Sequence, residues 1–209
     1  MRKGSVQLTI ENFEYWLQRY ITLINQLMAA RRGVARSPVD KKELLEAFVF
    51  RIVASWEVFV NDLMVDCLNR DSSQYADYMQ LRLAKNLPRP VCEAMLRGLG
   101  YTDFRSVPEI KKVAKNILTA ANNPFKAIPV ATGEAIDEFT RMRNYLAHYS
   151  TAARRSLLNS YRRNHKLKNF REPADFLYAS NRRSKQIRFG DYVQAFIDAS
   201  QVMRHTLGV

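Results

Sequence analysis

Apolar residues recur along most of this chain at intervals of three and four, the period of an amphipathic helix. From Thr9 to Ala30, the positions Phe13, Trp16, Leu17, Tyr20, Leu23, Ile24 and Leu27 line one side of such a helix. Gly33 and Pro38, both helix breakers, are expected to close it. A longer helix is predicted from Asp40 to Asn69, and its middle, AFVFRIVASWEVFV, is apolar on nearly every side. A helix of that kind packs on several faces, which puts it at the centre of the fold. Its β-branched residues would also suit a strand, but the flanks DKKELLEA and NDLMVDCLNR and the length of the run favour helix.

From Asp71 to Pro129, prolines and glycines cut the chain into shorter pieces. SVPEIKKVAKNILTAAN reads as one helix, with Ser106 as its N-cap and Pro108 in its first turn. Thr132 is expected to cap GEAIDEFTRMRNYLAHYS, whose acids lie early and cations late, as the helix dipole favours. FGDYVQAFIDASQVMRHTL closes the chain as a final amphipathic helix. With no repeat, low-complexity tract or clear linker, the expectation is one all-α domain over residues 1–209.

Composition adds a core and a partner class. Apolar residues make up 47% of the chain, enough for a packed interior. The formal net charge of +13 points to polyanions. Residues 154–188 hold eleven of the cations against only Glu172 and Asp175. Tyr161, Phe170, Phe176 and Tyr178 are interleaved there, and such aromatics can stack on unpaired bases. Arg154, Arg155, Arg162, Arg163, Lys166 and Lys168 are therefore candidate nucleic-acid contacts. The plainer alternative is a solvated basic surface.

Cys67 and Cys92 form no CxxC pair, which suits a reducing cytosol. No signal peptide is expected at the N-terminus, and FVFRIVASWEVFV is interrupted by Arg51 and Glu57. The expectation is a cytoplasmic protein that does not enter a membrane.

Most catalytic signatures are missing. There is no Walker loop, GxGxxG, GxSxG elbow or HExxH, and the three histidines stand far apart, so no metal or cofactor is expected. Asp137 and Glu138 read as charges of the early helix, His165 as part of the basic surface and His205 as a helix-terminal cation. What is left is RMRNYLAHYS, residues 141–150.

Within it, RNYLAH resembles the Arg-x4-6-His motif of the HEPN superfamily, with Asn144 in the polar slot after Arg143. The helix ELLEAFVFRIVASWEVFVNDLM is similar to the long central helix of larger bacterial HEPN variants. The resemblance spans roughly residues 40–70 and 132–150 and implies an HEPN-like helical bundle with extra helical segments. It implies a metal-independent endoribonuclease of the kind found as toxins or defence effectors, working as a homodimer with the active site at the interface. Arg143 and His148 would be the catalytic pair, leaving 2′,3′-cyclic phosphate ends. His titrates near neutrality and can move protons, while a guanidinium can fork onto phosphate oxygens. Asn144 and Arg141 are supporting residues. At about 100° per residue they share a face with His148, whereas Arg143 points about 140° away. Arg141 is thus an alternative cation. Glu57, on the apolar stripe of Phe50, Val53, Val60 and Met64, needs a partner. That partner is Arg143 or Arg141 if Glu57 serves the site, although the many other arginines make one of them the default expectation. Two other readings stand beside the enzyme: a non-catalytic nucleic-acid-binding or scaffold protein, and a structural protein whose charge meets an acidic partner such as an antitoxin.

Overall fold

The computed structural model describes residues 5–29, 37–99, 106–181 and 187–209, and these are all-α. Helix α1 (Val6–Ala29) buries Val6, Ile10, Phe13, Leu17, Tyr20 and Ile24. Trp16 and Leu23, expected on that stripe, lie toward the surface at 43% and 42% exposure. They sit at the edges of the apolar arc, where the neighbouring helix does not reach.

Helix α2 (Pro38–Arg70) opens with a reciprocal cap: Asp40 N–H donates to Ser37 Oγ at 3.1 Å, and Ser37 N–H donates to the Asp40 carboxylate at 2.9 Å. Pro38 therefore starts the second helix instead of closing the first. Its fixed φ and missing N–H suit a first helical turn. Gly33 lies outside the described residues. Short helices α3 (Ser73–Met79) and α4 (Arg89–Gly98) follow, the latter held to α2 by Arg89, which pairs with Asp62 and the buried Asp66. Helix α5 (Val107–Ile117) has Ser106 at its N-cap as predicted, and two 3-10 turns lead on to α6 (Val130–His148). Pro129 is the cap residue of α6, so Thr132 sits inside the first turn, not before it. The remaining elements are α7 (Thr151–His165), α8 (Pro173–Tyr178) and α9 (Arg188–Leu207).

Helices α1, α6 and α9 pack around α2. Phe13 stacks on Phe59 at 4.2 Å, while Trp56 and Phe139 meet Phe196 edge-on at 5.5 and 5.6 Å. Each such pair contributes about 1 kcal/mol beyond its buried area. The buried side chains form one continuous core. The basic stretch folds back onto it. Tyr161 and Phe176 are fully buried, and Phe170 and Tyr178 pack partly buried against the core. The interleaved aromatics are thus spent on packing and are not a base-stacking platform. Arg182, Arg183 and Lys185 lie outside the described residues. No helix among the described residues is long and apolar enough to cross a membrane. Burial pushes the Cys67 thiol up to about 12 and the Cys92 thiol up to about 11, which leaves both unreactive at neutral pH.

Helix α6 meets the start of α5 closely. A Cβ on Gly133 would stand 3.1 Å from Val107 Cγ1, so glycine permits the crossing. One turn on, the buried Asp137 carboxylate accepts the Val107 N–H at 2.7 Å, a negative charge at a helix N-terminus. Asp137→Ala leaves that N–H buried without an acceptor. It should cost about 2 kcal/mol in urea unfolding and lower the thermal midpoint by about 5 °C. An unchanged urea midpoint would remove Asp137 as the tie between the two helices.

Candidate functional site

Glu57 lies on the stripe expected for it, with Val53, Val60 and Met64 buried and Phe50 reaching the surface. Its carboxylate is 32% exposed and takes a hydrogen bond from Arg143 Nη2, whose side chain is 26% exposed. The default expectation of some other arginine is therefore wrong. Helix α6 packs on α2, and the face of α6 carrying Arg143 is the one turned to Glu57. Glu57 uses part of the guanidinium fork and fixes its direction, leaving donors on the other nitrogens.

Arg141, two residues earlier, is about 200° round the helix. It lies beside Asp137, and its Nη1 is buried with no hydrogen-bond partner. Burial raises the Asp137 carboxyl above its ordinary value, opposed by the Val107 N–H and by the Arg141 and Arg163 charges. The two candidate cations are thus on opposite sides of α6, and Arg141 cannot present a complete fork.

His148 is the last residue of α6 and is exposed. Asn144 is half-buried, and no hydrogen bond among the described residues joins either of them to Arg143 or Arg141. The helix ends at Tyr149, whose left-handed backbone (φ 45°) lets its N–H return to the Tyr145 carbonyl at 2.7 Å. The exposed Tyr149 ring meets buried Tyr145 edge-on at 5.3 Å, and the Tyr145 hydroxyl donates to Glu172 at 3.2 Å. His148 therefore stands next to a turn held from below.

Burial, followed by the nearby Glu172, Glu43 and Asp175 charges, raises the Glu46 carboxyl, and Glu46 and Glu172 also bear on Tyr149. Helix α7 leaves after Tyr149 and Ser150 and packs back along α6. Its Arg155 and Arg162 are seven residues apart on one face, Lys166 follows as its C-cap, and all three are exposed. Among the described residues none of them pairs with a carboxylate. Lys168 is exposed beyond the helix, Arg163 is exposed near its end, and Arg154 lies over the Phe170 ring at 4.3 Å.

Two sequence readings need correction. Glu138 is no surface charge of an early helix: it is 1% exposed, as Asp137 is 7% exposed. His165 is not simply part of the basic surface, because its Nε2 lies 3.3 Å from a Glu138 oxygen and 3.1 Å from the Tyr192 hydroxyl. No local signal marks either residue. Glu138 lies near the middle of α6, beyond the first turn where the dipole acts, and its partner is 27 residues away.

No protein-family model matches the chain, and no curated protein or solved structure matches it.

The Glu57–Arg143 pair should be measurable as a coupling. In a double-mutant cycle of Glu57→Ala and Arg143→Ala, urea unfolding should give an interaction of about 1 kcal/mol, the upper end for a partly solvated pair. A coupling of zero would mean that Glu57 does not hold the guanidinium.

Proposed function

We propose that the chain is a metal-independent endoribonuclease of HEPN type, with His148 and Arg143 at its centre. The observation that carries this reading is the ion pair from Glu57 of α2 to Arg143 of α6, the helix whose exposed last residue is His148. An imidazole open to solvent and a guanidinium held in one direction are what attack by a ribose 2′-hydroxyl on its own phosphodiester needs. The 2′-hydroxyl loses its proton to a base and its oxygen bonds phosphorus. The bond from phosphorus to the 5′-oxygen breaks, and that oxygen takes a proton from an acid. The products are a 2′,3′-cyclic phosphate and a 5′-hydroxyl. His148 serves as base or acid, Arg143 stabilises the crowded anionic phosphate and Asn144 orients the imidazole.

One imidazole cannot be base and acid in the same step. An exposed motif at a helix end suits a homodimer in which a second copy brings another His148 across the cleft. The strand would leave by the basic side of α7. An effector of this kind needs restraint in its own cell, and the same basic side would suit an acidic antitoxin.

Labelled single-stranded and transfer RNA should be cut in EDTA by the native protein. His148→Ala should lose at least about a hundredfold in rate, and Glu57→Gln should lose less while still binding RNA. Uncut RNA with both native and His148→Ala protein would overturn the reading. The exposed Arg155 and Arg162 of α7 favour a second reading, a binding module without chemistry. It predicts RNA affinity that falls steeply with salt and is the same in His148→Ala.

A further inference from the structure

Away from the motif, the N-terminal half of α6, the end of α7 and the start of α9 enclose a cleft of about 580 Å³. That volume suits a ligand of nucleotide size. Its floor is Glu138, 1% exposed, which accepts a hydrogen bond from Asn164 Nδ2 at 2.5 Å. The His165 Nε2 stands 3.2 and 3.3 Å from the two Glu138 oxygens and 3.1 Å from the Tyr192 hydroxyl. Glu138 Oε1 is sealed from solvent without an aligned hydrogen bond, so His165 is the group that answers its charge. Nε2 is turned inward, onto Glu138 and the Tyr192 hydroxyl. Phe176 holds the ring edge-on at 4.9 Å. The side chain is 30% exposed.

The walls carry both signs of charge, Arg163 and Arg188 against Glu134, Glu138 and Asp191. Asn181 Nδ2 donates to Asp191 at 2.5 Å, and Glu138 is on the floor, which leaves Glu134 at the rim. The cations keep donors. Arg163 spends only Nε, on its neighbour Asn164 at 3.2 Å, and Arg188 lies over the Phe176 ring at 4.5 Å with one nitrogen toward the Phe176 carbonyl. Two guanidinium groups line the same space. Forked donors match tetrahedral oxyanions.

We propose that this cleft binds a phosphate group, held by Arg163 and Arg188. The phosphate belongs either to a free nucleotide or to an RNA strand. Helix α7 is about 22 Å long at 1.5 Å per residue, so a strand lying along it would place this phosphate several nucleotides from His148. The proposal does not rest on the ribonuclease reading, because it concerns binding alone.

Calorimetry on the full chain tests it, using AMP, adenosine and inorganic phosphate, with a short RNA added to His148→Ala protein so that nothing is cut. AMP or the RNA should bind, and adenosine should bind at least about tenfold more weakly than AMP. Arg163→Gln should weaken the phosphorylated ligand by about tenfold, the worth of one charge-assisted hydrogen bond. Arg82→Gln removes the same charge at an exposed position outside the cleft and outside α7, and should have much less effect. Adenosine binding as well as AMP, equal losses in the two arginine variants, or no binding of any probe would each overturn the proposal. AMP binding as tightly as RNA assigns the site to free nucleotides, whereas a response of RNA alone assigns it to a strand.

Discussion

Two adjacent carboxylates buried on one helix are the constraint around which this structure is arranged. Asp137 and Glu138 lie about 100° apart on α6, so they face different neighbours, and neither can stay charged in an apolar interior unmet. Asp137 is answered by the first N–H of α5, and Glu138 by Asn164 and His165 at the end of α7. Through His165 the contact extends to Tyr192 on α9. The start of one helix, the end of another and the flank of a third are thus set by two side chains. Apolar packing alone would let these helices slide past one another with little penalty. Directional bonds to buried charge do not.

With its first half held in this way, α6 has a second end free for chemistry. Beyond Arg141, whose side chain is drawn back toward Asp137, the helix turns Arg143 onto Glu57 of α2 and carries His148 out to solvent. The Tyr149 turn then sends α7 back along the same helix, so the exposed cations of α7 run from the motif to the cleft at His165.

The helices were readable from sequence because their causes are local. The apolar period of α1, the long buried run of α2 and the Ser106 cap each depend on residues within a few positions of one another. The RNYLAH motif was visible for the same reason. The errors follow from that locality. Thr132 has the right side chain for a cap, but Pro129 precedes it and starts the helix three residues sooner. The aromatics of residues 154–188 looked like a binding surface because their cationic neighbours are indeed exposed. Tyr161 and Phe176 point the other way, into the core.

Pairing across the fold was beyond local reasoning. Glu57 needed a partner on any reading, since it interrupts an apolar stripe, yet dozens of cations were available and the one it meets is 86 residues away. His165 looked like any histidine among arginines until the end of α7 was laid against Glu138. Sequence alone established an all-helical chain with a long central helix, one reactive-looking motif and a strongly basic segment, because periodicity, capping and charge are properties of neighbours in the chain. Which arginine is held, which acids are buried and where a second cleft opens were set by the packing of helices, because an ion pair forms only between faces that the whole fold brings together.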